Sequence, residues 1–272
     1  MIITSLMDDY CPKRGLRGEH GLSFYIETGG LKLLFDAGQS GNFLENAQFL
    51  GVDLSHLNAV VLSHGHYDHG GGLNALYESR YPLPPPLYVG RGFDAPRWAK
   101  HEDGFKAIGL AALALPPGAP APIVIDTFNE LAQRVFFLPH VERFDGTEPN
   151  PRFRTMSKED NRIDTFDDEL SLVIEADDGI SVVTGCAHRG LANIARSALQ
   201  LFPGKALKAL IGGFHFVDIP EATLSKAAAM VAELAPEKVF CSHCTGLPGF
   251  AALLAAMPGK VSWLSCGTRV EL

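Results

Sequence analysis

Residues 62–72 read Leu62-Ser63-His64-Gly65-His66-Tyr67-Asp68-His69-Gly70-Gly71-Gly72, which places three histidines and an aspartate within six positions. The run just before them, residues 59–62, is apolar and predicts a strand that carries these polar side chains into a loop at its end. Imidazole nitrogens with one carboxylate oxygen suit zinc, iron or manganese, whereas calcium and magnesium prefer oxygen donors. The spacing H-x-H-x-D-H therefore predicts a transition-metal site, and it disfavours the alternative of a chance cluster on a solvated loop.

Three more histidines follow apolar runs elsewhere in the chain. His188, His215 and His243 each come after a strand-like run that finishes in small or polar residues. Strand ends in a sandwich converge on one edge, where a polar site lies above a packed core. A structural histidine explains any one of these positions, but it explains their recurrence poorly. We therefore expect these histidines to meet His64 at a single site.

Composition and charge limit the class of protein. The chain has 272 residues, 46% of them hydrophobic, and no evident linker, so residues 1–272 are predicted to form one domain with an insertion at about 73–164. A net charge of −8 argues against nonspecific nucleic-acid binding. The longest apolar stretch, residues 107–115, is far shorter than the ~20 residues of a membrane span. The N-terminus lacks signal-peptide features, and five cysteines fit free thiols in a reducing cytoplasm. Neither a nucleic-acid nor a membrane partner is expected, and the oligomeric state stays open.

Strand-like runs occur along the whole chain and alternate with helical patterns in its second half. The strand-like runs lie at residues 22–27, 31–35, 59–62, 87–89, 134–138, 170–175, 180–184, 206–211, 238–241 and 261–264. The helical patterns lie at residues 41–50, 73–79, 191–201, 221–234 and 250–257. Residues 104–122, rich in alanine and proline, receive no assignment. This order of elements predicts an α/β sandwich with the sheets inside and the helices outside.

Several side chains near the motifs have two open interpretations. His20 and Asp36 either orient metal-binding imidazoles or belong to ordinary loops and turns. Cys186 is either a thiolate ligand or, as is more common, a buried apolar thiol. Cys241 and Cys244 have the spacing of a redox pair, but no second pair accompanies them, which disfavours a thioredoxin-like role.

These motifs together resemble the metallo-β-lactamase superfamily, whose signature H-x-H-x-D-H falls on His64, His66, Asp68 and His69. The neighbouring motifs resemble one branch, named for the 7,8-dihydropterin-6-yl-methyl-4-(β-D-ribofuranosyl)aminobenzene 5'-phosphate synthase of methanopterin biosynthesis. They span residues 20–246 and are His20-Gly21-Leu22-Ser23, Leu34-Phe35-Asp36-Ala37-Gly38, Thr184-Gly185-Cys186-Ala187-His188-Arg189-Gly190, Gly212-Gly213-Phe214-His215 and His243-Cys244-Thr245-Gly246.

The resemblance implies an αββα four-layer sandwich with one or two transition-metal ions at its edge, zinc in the first place and iron or manganese as alternatives. The ligand set that goes with it is His64, His66 and His188 for one ion and Asp68, His69 and His243 for the other. Asp68 and His215 are the predicted catalytic residues. His215 either faces the substrate, as a donor of a hydrogen bond or proton, or replaces His243 as a ligand.

One position departs from the hydrolases of the superfamily, which place a metal-bridging aspartate after a Thr-Gly strand end. Here that position is Cys186, and the usual upstream histidine of the first site has no counterpart, since His140 lies in the wrong context. Loss of the carboxylate disfavours a hydroxide-bridged pair of metals. The branch implies a transferase that releases diphosphate from a dihydropterin-methyl substrate. A hydrolase of a small phosphoester or lactone and a non-catalytic metal-binding module are the alternatives.

The substrate that this reading implies is a small molecule with a phosphate and a flat heteroaromatic ring. Residues 73–164 offer side chains that either stack on such a ring and hold phosphate or merely pack and solvate the insertion. The candidates are the aromatic residues Tyr81, Tyr88, Phe93 and Trp98 and the arginines Arg91, Arg143, Arg152 and Arg154.

Overall fold

In the computed structural model, which describes residues 1–79, 84–144, 146, 148–156 and 161–272, two seven-stranded sheets pack against each other. The first sheet consists, in spatial order, of β18 (Arg269–Glu271), β1 (Ile2–Met7), β2 (Ser23–Thr28), β3 (Leu31–Phe35), β4 (Ala59–Val61), β5 (Leu87–Gly90) and β8 (Ile123–Ile125). Its strands are antiparallel from β18 to β3 and parallel from β3 to β8. Because β3, β4, β5 and β8 are parallel, their carboxyl ends lie at the same edge of the sheet, and the polar loop of residues 63–69 follows the end of β4 there.

The second sheet has a similar mixed topology. Its strands, in spatial order, are β17 (Val261–Trp263), β16 (Lys238–Ser242), β15 (Ala206–Gly213), β14 (Gly179–Thr184), β13 (Ser171–Glu175), β10 (Val135–Leu138) and β9 (Asn129–Ala132). The four strands from β14 to β17 are parallel. Their carboxyl ends therefore lie together at one edge of the sandwich.

Successive side chains of a strand point to opposite faces of the sheet. One face packs between the two sheets, and the other packs against the helices. In β3, Leu33 and Phe35 pack between the two sheets, while Leu34 packs on the outer face. In β14, Val183 packs between the sheets and Val182 on the outer face. The apolar runs of the sequence are thus strands that are buried on both faces.

Helices cover both outer faces. They are α1 (Asn42–Leu50), α2 (Tyr67–Gly70), α3 (Leu73–Glu78), α4 (Leu191–Leu201), α5 (Glu221–Ala232) and α6 (Gly246–Ala256). Helices α1 and α3 pack on the first sheet, and α4, α5 and α6 on the second. In α4 the buried residues Leu191, Ile194, Ala195 and Ala198 recur at helical spacing. The predicted αββα sandwich is confirmed, and no helix in the described ranges has the length and apolarity to cross a membrane.

A small third sheet lies beside the sandwich. Its strands, in spatial order, are β12 (Asn161–Ile163), β11 (Phe153–Met156), β6 (Arg97–His101) and β7 (Gly104–Ala107). Strand β7 lies in the stretch that the sequence left unassigned. Residues 73–164 supply this sheet together with β5, β8, β9 and β10 of the large sheets, and the single-domain organisation stays a prediction.

Candidate metal centre

The histidines predicted from the sequence lie at strand ends on one edge of the sandwich. Strand β4 leads into His64 and His66, β14 into His188, and β16 directly into His243. Strands β14, β15 and β16 pair in parallel register, with Thr184 opposite the penultimate residue of β15, so their ends are neighbours. The expected convergence at one edge is therefore observed.

The backbone at these strand ends is strained. Of the eight non-glycine residues with left-handed backbone in the described ranges, four lie at these strand ends: Asp36 (φ 59°), Ala187 (φ 56°), His215 (φ 50°) and His243 (φ 46°). Such conformations cost non-glycine residues on the order of 1–3 kcal/mol each and cluster at functional sites. Here they turn the chain immediately after a strand, where the side chains enter the centre.

One group of donors consists of His64, His66 and His188, with one ligand atom from each within 4.8 Å of the others. The Nε2 atoms of all three are buried and have no hydrogen-bond partner among the described residues. Burial holds the pKa of each ring well below its usual value, so the three imidazoles are neutral at neutral pH. Buried, neutral imidazole nitrogens without partners fit a transition-metal ion, which would satisfy all of them at once.

A second group consists of Asp68, His69 and His243, whose ligand atoms also lie within 4.8 Å of one another. Burial opposes the charge of Asp68, but hydrogen bonds with His20 and His243 outweigh it and hold the pKa of Asp68 well below its usual value. The His64 and His69 ring centres are only 4.3 Å apart, which joins the two groups. The structure therefore brings all six predicted ligands into one cluster.

A carboxylate that the sequence analysis missed, Asp9, connects His243 of the second group with His20 beside it. It pairs with His20 Nδ1 at 2.8 Å and with His243 Nδ1 at 2.6 Å. The opposite ring nitrogens of both histidines face Asp68 Oδ2, at 3.2 Å and 3.3 Å. Hydrogen bonds with Asp68 and Asp9 raise the pKa of His20 to about 9. His20 thus contacts the carboxylate of a candidate ligand, and the role predicted for it, orienting a ligand imidazole, stays a prediction.

Asp36 fixes the orientation of two imidazoles from beneath the centre. Its buried carboxylate accepts hydrogen bonds from Ser63 N at 2.7 Å and Ser63 Oγ at 2.6 Å, and it lies 2.6 Å from His69 Nδ1. Ser63 Oγ in turn lies 2.9 Å from His64 Nδ1. With the Nδ1 atoms engaged, the Nε2 atoms of both rings are left for the centre. These contacts favour the orienting role predicted for Asp36 over that of an ordinary turn residue.

Two further buried acids hold the backbone of the ligand loops. Asp168 Oδ2 accepts the N–H of Gly65, in the middle of the H-x-H motif, at 2.7 Å. Glu169 accepts the N–H of His188 at 2.6 Å and that of the next residue at 3.0 Å. Burial raises the pKa of Asp168 to about 6 and that of Glu169 to about 7. Their only signal in the sequence is an acidic run at residues 167–169, which by itself is typical of a turn.

Two cysteine sulfurs lie among the donors. Cys186 Sγ is 3.0 Å from His69 Nε2 and 3.2 Å from Cys244 Sγ. Cys186 also forms one candidate donor group with His64 and His69 and another with His243 and Cys244. The packing role that the sequence favoured for this thiol does not account for these polar contacts. Cys244 was not predicted at the site at all.

His215 lies at the wall of a cavity rather than among the donors. The cavity has a volume of about 570 Å³, opens beside His188 and His215, and is lined by Arg143, Lys226 and apolar side chains such as Ile219. The His215 ring centre is 4.2 Å from that of His188, yet no candidate donor group among the described residues includes His215. This placement favours its substrate-facing alternative over the replacement of His243.

Two phenylalanines that the sequence did not single out form an aromatic wall behind these histidines. The Phe166 ring stacks on His188, with centres 3.8 Å apart and 9° between the planes. The Phe153 ring packs edge-on against His215, with centres 5.4 Å apart. These contacts hold both imidazoles at the rim of the cavity.

The ring- and phosphate-binding candidates of residues 73–164 have different surroundings. Arg143 lines the cavity. Tyr88 packs on Phe137, with ring centres 5.0 Å apart, and Arg91 forms an exposed ion pair. Tyr81 lies outside the described residues. The described lining of the cavity does not include Phe93, Trp98, Arg152 or Arg154.

Comparisons with known proteins agree with this architecture. The family model described as the metallo-beta-lactamase superfamily matches residues 16–146, which include the H-x-H-x-D-H motif. A curated relative from Methanocaldococcus jannaschii is 27% identical over 265 residues, covering 90% of this chain and 87% of its own length. It is named 7,8-dihydropterin-6-methyl-4-(beta-D-ribofuranosyl)-aminobenzene-5'-phosphate synthase.

Two solved structures show the same arrangement of layers. The crystal structure of Tm1679, a metal-dependent hydrolase of the beta-lactamase superfamily, has a TM-score of 0.87 and 29% identity and covers 100% of this chain and 99% of its own. A diphosphatase from the PhnP family has a TM-score of 0.55 and 14% identity, with 100% and 97% coverage, and supports the fold alone. In its sandwich, its motif and its cluster of donors at one edge, the chain matches the metallo-β-lactamase superfamily.

Proposed function

We propose that this protein is a metal-dependent transferase that joins a dihydropterin-methyl group to an aromatic acceptor and releases diphosphate. The name of the Methanocaldococcus jannaschii relative describes a compound that unites a dihydropterin-methyl group with a ribofuranosyl-aminobenzene phosphate. The observation that carries the proposal is the cavity of about 570 Å³ beside His188 and His215. Its volume lies within the range of small-molecule sites, and it combines cationic with apolar walls.

The proposed metal site consists of the six clustered side chains, and Asp36, Asp9 and His20 hold their orientation. His64, His66 and His188 would hold one ion, and Asp68, His69 and His243 a second, with zinc as the proposed metal and iron or manganese as alternatives. When bound, such an ion supplies neutralisation of charge on a phosphate leaving group. A cytoplasmic location remains a prediction from the cysteines.

The chain's own residues account for binding in the cavity. Arg143 and Lys226 are cations on its lining and suit the oxygens of a phosphate or diphosphate. Ile219 and Met230 supply apolar surface for the flat face of a ring. The cavity therefore matches a substrate with a charged end and an aromatic body, as the proposed reaction requires.

In the proposed step, a nucleophilic atom of the acceptor forms a bond to the methyl carbon of the pterin while the bond from that carbon to the diphosphate oxygen breaks. The diphosphate leaves with the electron pair, and the acceptor loses one proton. His215, at the rim of the cavity, is placed to take that proton on a ring nitrogen. General-base assistance of this kind contributes about 10²–10⁴-fold to a rate.

The test measures diphosphate from a dihydropterin-methyl diphosphate with and without an aminobenzene ribose phosphate as acceptor. Release is expected only when both are present. His215→Ala should lower the rate by about 10²–10⁴-fold while leaving the bound metal unchanged. His101→Ala, in β6 of the small sheet, is the matched control and should retain full activity. Diphosphate release without the acceptor would contradict the transferase.

A metal-dependent hydrolase is the second candidate function. The observation that favours it is the 29% identity and TM-score of 0.87 to a metal-dependent hydrolase over nearly the whole of both chains. A hydrolase would use the metal to lower the pKa of bound water toward ~7. Efficient turnover of a phosphodiester, lactone or β-lactam by the metal-loaded protein, without any acceptor, would establish this alternative.

A further inference from the structure

We infer that Cys186 and Cys244 are thiolate ligands of the metal centre, so that sulfur takes part where the superfamily's hydrolases use a bridging carboxylate. Cys186 is the donor shared between the two halves of the cluster, and Cys244 supplies a second sulfur beside His243. The inference rests on the metal dependence of the proposed function and is independent of its substrate.

The surroundings of the two sulfurs are polar, unlike those of a packing thiol. Cys186 and Cys244 are only 2% and 6% exposed, and neither belongs to any of the apolar clusters of the fold. Their Sγ atoms are 3.2 Å apart, and Cys186 Sγ is 3.0 Å from His69 Nε2. Cys186 belongs to two candidate donor groups, one with His64 and His69 and one with His243 and Cys244, and an ion in either group would bind sulfur together with imidazole nitrogen.

Cys241 shows what a packing cysteine looks like in this fold. It is fully buried and belongs to the apolar cluster between the second sheet and its helices. Burial alone raises the pKa of its thiol, with no nearby charged partner among the causes. Cys186 and Cys244 are also buried, but they lie outside the apolar clusters and belong to candidate donor groups with histidines. Cys241 therefore provides a matched control three residues from Cys244.

The backbone and the neighbouring ring are arranged to support coordinated sulfur. The N–H of His215 points at Cys244 Sγ at 3.2 Å, and backbone donors of this kind stabilise metal-bound thiolates. His69 has its Nδ1 engaged by Asp36, so its Nε2 is the atom that faces Cys186. Cys244 thus has the supporting backbone contact that metal ligands usually have, and Cys186 lies beside the ring nitrogen of a candidate ligand.

Coordinated sulfur narrows the class of metal. Thiolates favour zinc and iron, whereas manganese prefers carboxylate, carbonyl and water oxygen. A centre with two sulfur donors should therefore retain zinc or iron in competition with manganese. This preference deepens the metal assignment of the proposed function without changing its reaction.

X-ray absorption at the zinc edge of the zinc-loaded protein tests the inference directly. We expect a sulfur shell at about 2.3 Å next to nitrogen and oxygen at about 2.0–2.1 Å. Cys186→Ser and Cys244→Ser should each reduce the sulfur shell, and the double variant should abolish it. Cys241→Ser should leave the spectrum unchanged.

The wild-type spectrum decides the matter even if a variant fails to fold. Bound zinc with only nitrogen and oxygen neighbours would overturn the thiolate inference while leaving the metalloenzyme proposal standing. A disulfide between Cys186 and Cys244 in the zinc-loaded protein, detected by mass spectrometry, would likewise overturn it. Failure of the wild-type protein to bind zinc or iron at all would overturn both proposals.

Discussion

Replacement of Arg97 by methionine should destabilise this protein strongly, because the arginine neutralises two buried carboxylates behind the metal-binding loop. Arg97 is 3% exposed; its Nε donates to Asp164 at 2.9 Å, and its Nη2 lies 2.7 Å from Asp168 Oδ1. The carboxylates are 4% and 0% exposed. Asp168 also accepts the N–H of Gly65, so a displaced Asp168 should destabilise the H-x-H loop as well. Methionine keeps an unbranched apolar chain while removing the charge.

The expected loss follows from the burial of the group. Removing one partner of a buried ion pair leaves an uncompensated charge and costs about 3–5 kcal/mol. At roughly 2–4 °C per kcal/mol for a chain of this size, the melting temperature should fall by roughly 6–20 °C. Burial already raises the pKa of Asp168 to about 6, against the opposing effect of Arg97. Without the guanidinium this pKa should rise further.

The sign of the pH dependence follows from proton binding. The folded variant binds a proton on Asp168 more tightly than the unfolded chain, so its stability falls as pH rises between the two pKa values. The difference in free energy of unfolding between the wild type and Arg97→Met should therefore be larger at about pH 8 than at about pH 5. Urea unfolding of both proteins at both pH values, with saturating zinc, measures this difference.

The control for this variant is Arg91→Met. Arg91 is 67% exposed and pairs with Asp126, which is 41% exposed, and a surface pair of this kind is worth about 0–1 kcal/mol. Its loss should be small and nearly independent of pH. Equal decreases in the free energy of unfolding for the two variants would refute the reasoning. So would a decrease for Arg97→Met that becomes smaller as pH rises.

Three further changes test the centre itself. His66→Ala should sharply lower bound transition metal in elemental analysis, while His56→Ala, at an exposed histidine, should not; equal contents would contradict the ligand assignment. Gly65→Ala should weaken zinc binding in calorimetry, because a Cβ there would lie 1.7 Å from the backbone oxygen of Phe93. Asp36→Asn should weaken zinc affinity about 10–100-fold in a chelator competition without removing a ligand, and an unchanged affinity would disprove its orienting role.

The sequence was sufficient to predict the sandwich and the meeting of the strand-end histidines at one edge, because both depend on short-range patterns. Apolar runs such as residues 180–184 are strands buried on both faces, and α4 lies at the residues that its pattern predicted. The histidines were recognisable because each follows such a run, and parallel pairing of β14 to β16 then brings their ends together. Local pattern and sheet topology agree at this edge.

Contacts that depend on tertiary distance were not predictable in this way. Strand β1 was not recognised, although it pairs with β2 and with β18 from the far end of the chain. Cys244 meets Cys186 across 58 residues, and only the order of strands in the second sheet brings them together. Asp168 reaches Gly65 across 103 residues. No periodicity within a window of ten or fifteen residues contains this information.

The strand ends explain both why the centre forms and why it needs so many supporting acids. A buried polar group without a hydrogen bond costs on the order of 1–3 kcal/mol. Each loop that carries a metal-ligand candidate to this edge also buries backbone N–H groups and ring nitrogens, which need hydrogen-bond acceptors. Asp36 and Asp9 take up ring nitrogens, and Asp168 and Glu169 take up backbone N–H groups. Among the described residues, the buried polar atoms that still lack a hydrogen-bond partner include the Nε2 atoms of His64, His66, His188 and His243. The chain satisfies the periphery of the cluster and leaves its centre for an ion, which is the arrangement that metal binding requires.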